Sequence, residues 1–110
     1  MKLLSSIVPE LFKEISDVLK FNGHDDVAIQ LQAETIERCT YDPSVEAGYI
    51  YLARSRKSSH SSKFAAPVAN TLGFLDLGFN IDLDHDGQVF GVEFLNREDI
   101  VGQLKKSNLI

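Results

Sequence analysis

Asp82, Asp84, Asp86, Gly87 and Glu93 stand at the spacing D-x-D-x-D-G-x5-E. Three carboxylates at alternate positions, a glycine for a sharp turn and a distal glutamate are the oxygen donors from which a calcium loop is built. Such a loop needs a helix entering at its first aspartate and another leaving over its last positions. The flanking residues do not supply them. Before Asp82, the residues Leu75, Leu77, Phe79, Ile81 and Leu83 alternate with Asp76, Gly78, Asn80 and Asp82, a period of two. After Gly87, the run Gln88-Val89-Phe90-Gly91-Val92-Glu93-Phe94-Leu95 is rich in strand formers. The segment is therefore read as a β-hairpin, with Asp84-His85-Asp86-Gly87 as its turn and Gly87 free to adopt positive φ. No metal ligands and no cofactor are assigned. Asp82 and Glu93 fall on the polar phase, where surface carboxylates are expected without acid–base chemistry.

Other residues with chemical potential are scattered. His24, His60 and His85 show no metal spacing. Cys39 has Arg38 as its only basic neighbour and reads as a small hydrophobe. The serines at 55, 58, 59, 61 and 62 lack a nucleophile elbow, and the glycines form no phosphate loop. The expectation is a protein without a catalytic site.

The elements that would carry these residues are as follows. Residues 7–38 are read as two helices. Ile7, Val8, Leu11, Phe12, Ile15, Val18 and Leu19 recur at helical spacing, Pro9 suits a first turn, and Asn22-Gly23 is a stop. Asp25 is the expected N-cap of the second helix, whose apolar face is Val27, Ala28, Leu31 and Ile36. Tyr41-Asp42-Pro43-Ser44 is turn chemistry, and Gly48 to Ala53 is a strand. Residues 55–62 read as a polar loop and Phe64 to Val68 as an edge strand limited by Pro67, which would permit dimerisation by sheet extension. Strands follow over Leu75–Leu83 and Val89–Leu95, then a short helix around Glu98–Lys106. The fold class is α+β: an N-terminal antiparallel helix pair packed on a small, mainly antiparallel sheet. One domain spans 1–110, with a helical lead over 1–40, the sheet over 41–96 and a tail helix within 97–110.

The chain has 110 residues, 44% hydrophobic and 25% charged, which suits a globular domain with one core. No apolar run is long enough to span a membrane. Met1-Lys2-Leu3-Leu4 is followed too soon by Pro9, Glu10, Lys13 and Glu14 to serve as a secretory signal. The single cysteine forms no internal disulfide and fits a cytoplasmic setting. Net charge is −5, unevenly placed. Residues 76–99 hold Asp76, Asp82, Asp84, Asp86, Glu93, Glu98 and Asp99 against Arg97 alone, whereas residues 47–75 hold four bases and no acid. An acidic chain is a poor nucleic-acid ligand and a better match for a basic protein.

Tyr41-Asp42-Pro43, Ala47-Gly48-Tyr49-Ile50-Tyr51-Leu52 and the run from Asn80 to Asn96 resemble the bacterial domain-of-unknown-function family 2283. The likeness covers about residues 40–96. It implies strands on either side of the acidic turn and brings no catalytic residues. The chain departs from the family pattern in its helical lead and its longer middle, residues 55–75. A helical lead before such a sheet is similar in layout to immunity proteins encoded beside contact-dependent growth-inhibition toxins.

Together these features lead to the expectation of a non-catalytic immunity protein that binds and neutralises a basic toxin domain. The interface is expected at Asp82, Asp84, His85 and Asp86, with Asp25 and Asp26. The alternative is a divalent-cation or small-ligand module using the Asp82–Glu93 segment.

Overall fold

The computed structural model describes residues 2–53 and 68–110. Among them, six strands form one antiparallel sheet: β1 (Lys2–Leu3), β2 (Thr35–Asp42), β3 (Ala47–Leu52), β4 (Asn70–Phe74), β5 (Phe79–Leu83) and β6 (Val89–Leu95), in the order β1-β2-β3-β6-β5-β4. Among the described residues, the helices with both ends placed are α1 (Leu4–Ile7), α2 (Pro9–Phe21), α3 (Asp25–Leu31) and α4 (Glu98–Lys106). The architecture is α+β.

Period decides which residues go inside. In α2, Leu11, Ile15 and Leu19 lie four apart, on one stripe, and all are fully buried. Pro9 opens the helix, where its missing N–H costs nothing. Gly23, at φ 83°, closes it, and His24 N donates back to Leu19 O at 2.7 Å. In α4, Ile100 and Leu104 are buried, with Glu98 and Asp99 in the first turn and Lys105 and Lys106 in the last, as the helix dipole favours. These stripes cover one sheet face. Ile50, Leu52, Phe79, Ile81, Val92 and Phe94 fill it and join the helical residues in one cluster. Cross-strand partners share a face, so the pairs Ile50↔Val92 and Ile81↔Val92 form a continuous apolar row.

Three expectations need correction. The helical lead ends early: the second helix stops at Leu31, and Thr35–Asp42 is a strand. Ile36 is five residues beyond Leu31, off the helical stripe. Thr35-Ile36, Thr40 and Tyr41 are strand formers, and pairing with β1 and β3 satisfies their backbone. The alternation over Leu75–Leu83 is broken in two. Leu75–Leu77 form a 3₁₀ turn with no buried residue, Gly78 takes φ 80°, and only Phe79–Leu83 is strand. The strand paired with β5 on its outer side, β4, comes from residues just before that turn. His24, not Asp25, precedes the first residue of α3. The expected loop 55–62 and all but Val68 of the expected strand 64–68 lie outside the described residues.

Candidate functional site

β5 and β6 pair as a hairpin, with Asp82 opposite Gly91 and a bulge between Asp82 and Leu83. Strands thus stand on both sides of the acidic loop, where a calcium-binding helix–loop–helix would need helices. Asp84 builds the turn. Its backbone N–H donates to Gln88 O (2.8 Å) and its carbonyl accepts from Gly87 N (3.0 Å). Its Oδ1 accepts from the backbone N–H of Asp86 (2.9 Å) and of Gln88 (3.0 Å). An aspartate that hydrogen-bonds its own backbone two residues on is a turn device. At 3% exposure the carboxylate faces inward, into these bonds. Gly87 takes φ 77°, a conformation that a side chain would strain. His85 and Asp86 are exposed at the tip.

Asp82 points the other way, to the sheet face opposite the helices. Arg38, Tyr51, Gly91, Asp82 and Thr71 lie on one row of that face, and Thr40, Tyr49, Glu93, Asn80 and Gly73 on the next. Asp82 accepts from Tyr49 Oη at Oδ2 and from Thr71 Oγ1 at Oδ1, both at 2.6 Å. Glu93 accepts from Asn80 Nδ2 at 3.0 Å. The two carboxylates are diagonal neighbours with separate donors. Burial, then the bond to Asp82 and the Asp82 charge, raise the Tyr49 phenol well above its ordinary value, so it stays a donor. The Arg38 guanidinium stacks 3.7 Å from the Tyr51 ring centre, and Tyr51 packs against Tyr49 and Phe90. Gly91 leaves room for the Tyr49 ring to lie across β6.

Asp25 and Asp26 stand apart from this set in the chain, as the first two residues of α3, both exposed. Of the six expected interface residues, four therefore share the hairpin; Asp84 is committed to its turn, and Asp82 ties β5 to β3 and β4 through Tyr49 and Thr71. Among the described residues no group of three His, Cys, Asp or Glu side chains is placed to share a metal ion. Cys39 lies in β2 on the core side, and burial pushes its thiol up to about 12.

Sequence reasoning missed Arg97. Its Nη1 and Nη2 reach Glu14 on α2 (3.2 and 2.8 Å), Nη1 also donates to Leu77 O (2.8 Å), and Nε and Nη2 donate to Asp99 (3.0 and 2.9 Å). The signal was present: it is the sole base among seven acids in residues 76–99. Also missed was the opposite end of the sheet. There, residues 75–78 and 95–97 line an open groove of about 370 Å³.

Neither the curated proteins nor the solved structures contain a match to the chain. The model of one family, described as "Protein of unknown function (DUF2283)", matches residues 38–97, more than half of the chain. That match spans most of β2 and all of β3, β4, β5, the acidic turn and β6, taking in the parts in which the sequence resemblance lay, and the chain belongs to this family.

Proposed function

We propose that this chain is a non-catalytic binding protein for a basic protein domain, of the kind that neutralises a cognate toxin in the cytoplasm. The observation that carries the reading is the state of Arg97. It is the one base of the acidic segment 76–99, its side chain is 16% exposed, and it is committed to Glu14 and Asp99. Arg97 is therefore not available to neutralise Asp76, Asp86 and Glu98, which are exposed in the same segment, and exposed Asp25 and Asp26 add to the field. A negative surface on a rigid sheet steers a basic partner and raises its association rate. The reading without catalysis draws support from Cys39, whose thiol burial pushes toward its protonated, less nucleophilic form. Among the described residues no helix is long and apolar enough to cross a membrane.

Tagged chain should retain the product of the adjacent upstream gene as a stoichiometric complex at moderate salt. Deleting the chain's gene should poison cells that make that product. No complex, with unharmed cells, would sink the reading. Calcium titration of the chain alone should give no saturable heat at affinities tighter than about millimolar; saturable binding would favour the cation module at Asp82–Glu93 instead.

A further inference from the structure

Three connections meet at the end of the sheet remote from the acidic turn. They are residues 43–46 between β2 and β3, residues 75–78 between β4 and β5, and residues 96–97 between β6 and α4. They are tied to one another. Leu95 N donates to Gly78 O and Asn96 N to Glu46 O, each at 2.9 Å, and Arg97 Nη1 holds Leu77 O. This end carries large apolar side chains that the core does not use: Val45 is 62% exposed, Leu75 67% and Leu77 38%. Leu75 and Leu77 belong to the 3₁₀ turn and flank the 370 Å³ groove. Around them stand Asp42, Glu46, Asp76 and Glu98, all exposed, while Arg97, which lines the groove, is already bridged to Glu14 and Asp99.

Apolar residues held on a tethered backbone and ringed by acids form a docking surface of defined chemistry. We infer that this sheet end, centred on Leu75 and Leu77, is the surface that seats a basic protein partner, through an apolar side chain in the groove flanked by lysines or arginines. The placement rests on the binding reading above and moves the interface away from the 84–86 turn. A second copy of this chain is the wrong occupant, because the same acids would face each other across the contact.

The test uses the full chain and the adjacent gene product, by calorimetry at two salt concentrations. Leu75→Asp with Leu77→Asp should leave the far-ultraviolet spectrum and melting unchanged, since neither side chain is in the core, and weaken the complex about tenfold or more. Asp76→Lys with Glu46→Lys should weaken it and flatten its salt dependence. Asp86→Lys, at the other end of the sheet, should change affinity less than about twofold. A complex that tolerates the leucine changes but not Asp86→Lys would overturn the placement and leave the binding reading standing. A chain that dimerises alone through the leucines would overturn the choice of partner. No complex with wild-type chain would remove the binding reading and this inference with it.

Discussion

Tyr49 and Asp82 make a 2.6 Å hydrogen bond on the solvated sheet face, and its worth depends on what remains when it is cut. In Tyr49→Phe, Asp82 keeps Thr71 as donor and has access to water, so no bare charge is buried. The cost should be about 1 kcal/mol, the net value of one such bond, read as a lower urea midpoint at unchanged slope. A loss near zero would show that water replaces the phenol. Cys39 offers a second check. Its thiol, pushed up by burial from 9.0 to about 12, has almost no thiolate at pH 8. A disulfide reagent should label the native chain at least about tenfold more slowly than the urea-unfolded chain; equal rates would contradict the burial. The residue types that carry these arguments were visible in the sequence, and Cys39 already read as a small hydrophobe. The partners were not, because Tyr49 and Asp82 are 33 positions apart and meet only through β6.

The β5–β6 hairpin is the element whose sequence and structure agree most closely. Local chemistry specifies it: strand formers on both sides, an aspartate to hydrogen-bond the turn and a glycine at positive φ. Asp84→Ala should cost about 1–3 kcal/mol, because the backbone N–H groups of Asp86 and Gln88 lose a charged acceptor in a part-buried turn. Asp86→Ala, at the exposed tip, should stay within about 0.5 kcal/mol. Equal losses would mean that the turn is held by its overall charge and not by Asp84. Gly91 tests the same hairpin from its outer face. A Cβ there would overlap the Tyr49 ring and come within 2.7 Å of Ile50 O, so Gly91→Ala should destabilise by about 1–3 kcal/mol and displace Tyr49. Where local pattern misled, another element had intervened. Leu75 and Leu77 continue the alternation of β5, yet a 3₁₀ turn carries them out of the sheet so that β4 can pair back on it. The start of β2, residues 35–38, lost its helical reading for a similar reason. Its backbone is claimed by β1 and β3, one pairing made from residues more than 30 positions away in the sequence.

Across the whole molecule, Arg97 joins what the chain order separates. From the start of α4 it bridges α2 through Glu14 and the β4–β5 connection through Leu77 O. No local period announces such a hub; its lone positive charge in an acidic segment is the only trace in the sequence. Arg97→Ala leaves Glu14 and Asp99 without their cation. With both acids partly solvated, the loss should be about 1–2 kcal/mol, below that of a fully buried pair. Its pH dependence follows from Asp99. The hydrogen bond from Arg97 holds that carboxyl below its ordinary 3.8 in the folded chain, so the folded state binds its proton later than the unfolded state. The stabilisation is therefore complete above pH 3.8 and is lost as pH falls through the folded value. Wild type and Arg97→Ala, compared by thermal melting, should differ most at neutral pH and converge as the solution is acidified below about 4. A gap that stayed constant down to pH 2 would assign the loss to the packing of the Arg97 stem over Gly78 instead of to its charge, and Arg97→Met, which keeps an apolar stem, would then recover most of it.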